Sequence, residues 1–268
     1  MILEKAKRNY LPNNLNIEWA TLEPIFKELS DRQINSVTEL EKWLKDKSEL
    51  EAALEEDFAW RYIKMSCDTA NEDLVQSFQY FAMEIEPKIA PIGNELNKKL
   101  IESPYLKDLD QDKYFIYLRG VKKALELFRE QNIPLQTELQ VEQQKYQGIT
   151  GAMSVTLNGQ EYTLEQASNF LKDLNRATRQ QTWETITARR LTDKNQLDEL
   201  FNKLKSLRHQ VAQNAGFSNF RDYMFTALGR FDYTPQDCFD FHDAIEKEVV
   251  PLLSAQAQER KNLLGLQT

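Results

Sequence analysis

Histidine is the scarcest chemical side chain here: 268 residues contain two, His209 and His242. A zinc site built on His-Glu-x-x-His needs two imidazoles one helical turn apart and a carboxylate base between them. These two lie far apart and neither opens such a motif, so the chain carries no zinc pair of that type. His242 and Glu246 share a helical face, but without a third ligand they read as solvated or capping groups. His209, beside Arg208, reads as a core-edge or cleft-lining residue. Cysteine is equally sparse. Cys67 and Cys238 form no CxxC pair and no disulfide framework. They read as reduced, packed thiols, which makes the cytoplasm the expected compartment. No Gly-x-Ser-x-Gly elbow, P-loop or dinucleotide-binding glycine pattern occurs among the 8 glycines. No run of about 18 apolar residues exists, so no membrane span is expected. Met1-Ile2-Leu3-Glu4-Lys5 mixes acid and base with no apolar stretch behind it, so no signal peptide is expected either. A basic surplus is also missing. Lys and Arg total 34 against 42 Asp and Glu, a net charge of -8 where a nucleic-acid binder would show the reverse.

What is present is helical. Hydrophobic residues at 41% permit a core, and 28% charged residues with few Gly and Pro fit a soluble helical protein. Residues 1–16 read as irregular, with Pro12, Asn13 and Asn14 as breakers. Ser36-Val37-Thr38-Glu39 reads as a capping box ahead of Leu40, Trp43, Leu44, Leu50 and Leu54. A second box, Thr69 to Glu72, precedes Leu74, Phe78, Phe81 and Ile85 on one stripe, with Pro87 and Pro91 flanking the expected helix end. A third helix is predicted over 111–131 through Phe115, Leu118, Val121, Leu125 and Phe128.

The pattern changes near residue 153. Two short β-prone arms flank Asn158-Gly159, the cheapest pair for the two positive φ angles of a type I′ turn, so a hairpin is predicted near 154–163. Thr163-Leu164-Glu165-Gln166 caps the next helix. The clearest helix covers 193–214, with Leu197, Leu200, Phe201, Leu204, Leu207, Val211 and Ala212 at threes and fours and Gly216 at the left-handed cap position. Thr234-Pro235-Gln236-Asp237 starts another helix, carrying Phe239, Ile245 and Val249 toward a bend at Pro251. The scattered Asp and Glu residues single out no catalytic dyad, so the residues alone support a soluble helical domain with one hairpin.

Two stretches carry more. Residues 151–190 hold the hairpin followed by Asn175-Arg176, Arg179 and Trp183. Residues 197–233 hold Leu207, Arg208, Val211, Ala212, Gly216, Phe217, Asn219, Asp222 and Tyr223. In this order the phrases resemble the oligoendopeptidase F branch of the thimet-oligopeptidase-like zinc metallopeptidases, and residues 58–99 also look like that family's N-terminal helices. The resemblance implies an all-α, two-lobed fold around a deep cleft that admits short peptides. It implies a zinc cofactor that lowers the pKa of a bound water, a motif Glu as general base, and downstream Tyr and His groups on the oxyanion. All of those residues belong to a region C-terminal to position 268. The expected organisation is therefore an N-terminal helical lobe over 1–190 and the start of the catalytic lobe over 191–268, cut before the zinc motif. The expected function is an inactive fragment of a zinc-dependent oligoendopeptidase with no metal of its own, whose parent takes short peptides but neither nucleic acid nor membrane. A non-catalytic helical peptide-binding or scaffolding module of the same fold is the alternative. No catalytic or metal residue is assigned. Arg208, Tyr223, Arg230 and Tyr233 are the candidates for the substrate cleft, because Arg presents a planar fork of donors to a carboxylate and Tyr an apolar face with a polar tip. The competing reading packs Tyr223 in the core and pairs the arginines with acids such as Asp222 and Asp232.

Overall fold

The computed structural model describes residues 8–266, so the expectations for Met1 to Lys5 lie outside the described residues. Contacts group the chain into two units, Met1–Gly216 and Phe217–Thr268.

The first unit is built from helices and one hairpin. Helices α1 (Trp19–Asp31), α2 (Val37–Cys67) and α3 (Glu72–Tyr80) are followed by α4 (Glu86–Ile101), α5 (Gln111–Leu127) and α6 (Ile133–Gly151). Strands β1 (Ser154–Leu157) and β2 (Gln160–Thr163) come next, then α7 (Leu164–Ser168), α8 (Arg176–Thr192) and α9 (Lys194–Asn214). The hairpin pairs antiparallel from Ser154 opposite Thr163 to Leu157 opposite Gln160. Asn158 (φ 53°) and Gly159 (φ 79°) supply the two left-handed residues that the turn requires. Val155 and Leu157 face Ala167 and Ile186 in a small core of their own.

The larger core lies between α1, α2, α4 and α5. Leu22, Leu29, Leu40, Trp43, Ile85 and Leu100 are fully enclosed in it. Its polar fittings close helix ends. Lys99 donates to the carbonyls of Leu29, Ser30 and Arg32 at 3.0, 2.6 and 2.7 Å, capping α1 with a cation where the dipole favours one. Glu49 accepts from the backbone N–H groups of Asn9, Tyr10 and Leu11, the last at 2.8 Å, and so ties the segment before α1 to α2. Burial opposes ionisation of Glu49, yet the three amides outweigh it and hold the carboxyl below its usual range. A carboxyl lowered on folding stabilises above its unfolded pKa, and that contribution is lost as pH falls through the folded value. Amide exchange at Asn9, Tyr10 and Leu11 should therefore accelerate on acidification before the helices around Trp43 lose protection; Glu49→Gln should abolish that early step.

Caps read from the sequence are accurate where the partners are local. Thr163 and Gln166 form the reciprocal box at α7, and Thr234 with Asp237 forms another at α11 (Pro235–Ala244), with Pro235 in its first turn. Two caps differ. Ser36 accepts from Glu39 N–H as expected, but the Glu39 carboxylate reaches the N–H of Asn35, one residue beyond the cap. Thr69 is not a cap; Asn71 is, accepting from Asp73 and Leu74.

The prolines also differ from expectation. Pro87 and Pro91 do not flank a helix end but lie inside α4, which continues from α3 through a π-helical turn at Phe81–Ile85. Proline lacks an N–H and its ring crowds the carbonyl of the preceding turn; a widened turn just before it relieves both. The second unit repeats the device. Its helices are α10 (Phe220–Ala227), α11 and α12 (Val250–Leu263), and a π-helical turn at Ile245–Val249 precedes Pro251. α11 and α12 contain no buried residue: Phe239, Phe241, Leu252 and Leu253 are all exposed. No helix among the described residues is long and apolar enough to cross a membrane.

Candidate peptide-binding site

Arg208 belongs to the first unit, half-buried on α9. Tyr223, Arg230 and Tyr233 belong to the second. Tyr223 is 7% exposed, stacked on Phe220 and met edge-on by Phe217, which is a packing role. Arg230 and Tyr233 do come together: the guanidinium lies 5.2 Å from the Phe225 ring centroid and the Tyr233 ring meets the same Phe225 edge-on at 5.5 Å. Asp222, one of the two acids considered for the candidate arginines, pairs with Arg221 at 2.8 Å.

The motif phrases turn out to be chiefly architectural. Asn175 caps α8, and Arg179 donates back to the carbonyls of Asp173 and Leu174 at 2.7 and 2.9 Å. Leu207, Val211 and Ala212 are core, Gly216 turns the chain at φ 90°, and Asn219 caps α10. Trp183 is exposed.

The first unit carries a feature that sequence reasoning missed. Three hollows share walls along α6. The middle one, about 510 Å³, lies between α6 and the rings of Phe58, Tyr62 and Phe78, and is lined on α6 by Gln140, Gln143, Gln144, Tyr146 and Gln147. A second, about 460 Å³, opens between Gln143 and Tyr146 on one side and Leu197, Phe201 and Arg208 of α9 on the other. The third, about 730 Å³, runs from Tyr146 and Gln147 past Thr150 and Gly151 to Glu165 and Arg190. The glutamines at 140, 143, 144 and 147 stand at the spacing that puts side chains on one helical face.

Hydrogen bonds fix these amides. Gln140 Nε2 donates to Glu86 Oε2 at 2.6 Å, while its Oε1 is enclosed and has no partner. Burial pushes the Glu86 carboxyl up, and the Gln140 bond partly offsets this. Gln144 Oε1 accepts from Gln79, and Gln147 Nε2 donates to the Tyr62 hydroxyl at 2.6 Å. On the other flank Lys203 of α9 donates to Glu138 and Glu142 of α6 at 2.9 and 2.7 Å. Burial opposes the charge on Glu142, but Lys145 and Lys203 overcome it and hold the carboxyl low. Phe201, expected on the buried stripe of α9, is instead 62% exposed at the lip of this trough, and Tyr146 is 54% exposed. Cys67 is exposed on its wall rather than packed.

Another cavity of about 710 Å³, near Tyr10, is already internally satisfied: Arg32 bonds Glu28 and Asp46, and the Tyr10 hydroxyl donates to Glu28 at 2.7 Å. No three metal-binding side chains meet among the described residues. His209 and His242 are both exposed.

Residues 15–128 match the family pattern described as Peptidase M3 N-terminal domain, and residues 169–267 match the one described as Peptidase family M3. The chain belongs to peptidase family M3. Three solved structures share its fold. One assigned as oligoendopeptidase F matches at TM-score 0.87 and 22% identity, over 94% of this chain and 45% of that one. A PZ peptidase A solved with an inhibitor matches at TM-score 0.86 and 21% identity, again over 94% and 45%. A protein from Bacillus anthracis assigned as oligoendopeptidase F matches at TM-score 0.87 and 19% identity, over 97% and 48%. The chain thus spans a little under half the length of the structures it matches. No curated protein sequence matches it.

Proposed function

We propose that this chain is the N-terminal part of a zinc-dependent oligoendopeptidase that hydrolyses short peptides, and that by itself it is inactive. The observation that carries this reading is the ordered pair of M3 patterns, N-terminal domain then peptidase, on a fold shared with peptidases about twice as long. In this reading residues 1–190 form the N-terminal lobe, residues 191–268 begin the catalytic lobe, and the protein works in the cytoplasm. Among the described residues no three metal-binding side chains meet, so these side chains offer zinc no site. A zinc site needs three or four protein ligands, and the two histidines lie exposed on separate units. The ligands, the base and the oxyanion donors are accordingly assigned to residues beyond 268. The test is the coding frame read past Thr268: a His-Glu-x-x-His motif supports the proposal, and its absence leaves the non-catalytic peptide-binding module of the same fold.

Of the four cleft candidates, Arg230 and Tyr233 make the case within the second unit, because Phe225 holds both, whereas Tyr223 packs in the interior. In the read-through protein, Arg230→Ala and Tyr233→Phe should lower kcat/KM on short peptides while changing stability by less than about 1 kcal/mol, as expected for exposed positions. Loss of stability with unchanged kinetics would make both residues structural.

A further inference from the structure

We propose that Glu86 and Gln140 form a neutral acid–amide pair, in which Glu86 keeps its proton and donates it to Gln140 Oε1, so that the tie between α4 and α6 is a pH-sensitive one. Two observations carry this. Gln140 Nε2 donates to Glu86 Oε2 at 2.6 Å, so one edge of the amide already faces the carboxyl. Gln140 Oε1 is closed off from solvent and has no donor. Buried acceptors are almost always partnered, and nothing from outside reaches this one, so its donor must come from the groups packed against it. A carboxylate has no proton to give, whereas a carboxylic acid carries one O–H. With the proton on Glu86 Oε1, that O–H goes to Gln140 Oε1 while Glu86 Oε2 keeps the Nε2 bond. Two parallel bonds then join two planar groups, and the stranded acceptor is satisfied.

The surroundings favour the uncharged form. Burial is the largest influence on Glu86 and pushes its carboxyl up, and the Gln140 bond offsets only part of this. The ionic groups on the elements packed against α4 are engaged elsewhere. Lys88 meets Glu84 at 3.4 Å, and on α6 Glu138 and Glu142 are held by Lys203. On α1 Lys27 pairs with Asp31 and Glu28 with Arg32, and on α5 Arg119 lies over the Phe115 ring at 5.5 Å. None of them contributes to the state of Glu86. An ionised Glu86 would have one neutral donor and no counter-ion, an unfavourable setting for a buried charge. Glu86 is also the first residue after the π-helical turn, and its own N–H closes that turn on the Phe81 carbonyl. The pair therefore ties the joint between α3 and α4 to α6. A carboxyl raised on folding stabilises below its unfolded pKa, and that contribution is lost as pH rises through the folded value. This is the opposite sign to Glu49, whose amide donors hold it low. A tenfold loss in the folded-to-unfolded ratio follows for each pH unit between the two values.

The test is carbon-13 NMR of the 268-residue chain labelled at its glutamate carboxyls, with the Glu86 signal assigned by its disappearance in Glu86→Gln. The Glu86 midpoint should stand above the ordinary glutamate value; a midpoint at or below it overturns the proposal. Urea unfolding at pH 5 and pH 8 reads the pair itself. Glu86→Gln puts an N–H where the O–H stood and keeps both bonds, so its unfolding midpoint should rise relative to wild type between pH 5 and pH 8. Glu86→Met has similar length and no hydrogen-bonding group, so it strands Gln140 and should unfold at lower urea than Glu86→Gln at both pH values. A gap between wild type and Glu86→Gln that ignores pH, or a methionine variant as stable as the glutamine one, overturns the pair. The titration is read on the wild-type chain and decides the matter even if Glu86→Met does not fold.

Discussion

Replacing Trp43 by alanine should cost about 3–5 kcal/mol, the range for deleting a large aromatic from a packed core. Domains of ordinary stability hold about 5–15 kcal/mol in all, so Trp43→Ala should remove a large share of the first unit's stability. Trp43 has no exposed surface, and its Nε1 donates to the Leu29 carbonyl at 2.8 Å. It joins α2 to the end of α1, where the Lys99 ammonium also lies 5.7 Å from its ring centroid. Trp43→Phe separates the two contributions. The ring volume is mostly kept, and the Leu29 carbonyl still accepts from Lys99 at 3.0 Å, so no acceptor is orphaned. That variant should cost about 1–2 kcal/mol. Urea unfolding followed by circular dichroism measures both; equal losses would show that the hydrogen bond, not the packing, dominates.

Asn132 should be the most sensitive polar residue. It is 2% exposed, donates to the Val211 carbonyl at 3.0 Å and accepts from Asn214 Nδ2 at 2.7 Å, locking the end of α9 to the start of α6. Arg129 reinforces the joint by donating to the Asn214 carbonyl at 3.1 Å. Asn132→Ala should cost about 2 kcal/mol, because the partners left behind are shielded from water. Asn132→Asp should be worse than alanine at neutral pH and should recover in acid. Burial raises a carboxyl's folded pKa, so its protonated form, which can donate to Val211 again, stabilises below the unfolded pKa and loses that effect as pH rises through the folded one. Chemical denaturation at pH 7 and pH 5 tests this; an aspartate variant equal to wild type at pH 7 would refute the joint.

The helices were legible because their signals are local. Thr163, Asn158-Gly159, Thr234 and Gly216 act on residues within one turn, and the α9 repeat is long enough to fix its phase. What failed depends on distant atoms. A proline normally ends a helix, but α4 continues from α3 through a π-helical turn that precedes Pro87, and it carries Pro91 in its interior. Phe201 and Phe115 share the spacing of their stripes with true core residues, yet each is more than half exposed. Spacing reports the helical face and not what lies opposite it. Asn132 carries no local signal because its partners are 79 and 82 positions away. The trough was invisible for the same reason. Its glutamines could be read as one face of α6, but its walls come from α2, α3 and α9. The family phrases, in turn, were read correctly as kinship, although most of their residues hold the fold together rather than touch a substrate.

The proposed function turns on one point: zinc binding and peptide hydrolysis would need residues other than these 268. Zinc content by elemental analysis after chelation and dialysis, measured with hydrolysis of a fluorogenic short peptide, tests it on two proteins: the chain alone and the polypeptide read through past Thr268. The account predicts no stoichiometric zinc and no hydrolysis for the chain alone, and for the longer protein one zinc with hydrolysis that chelation abolishes. One tightly held zinc on the chain alone, with hydrolysis lost on its removal, would contradict it.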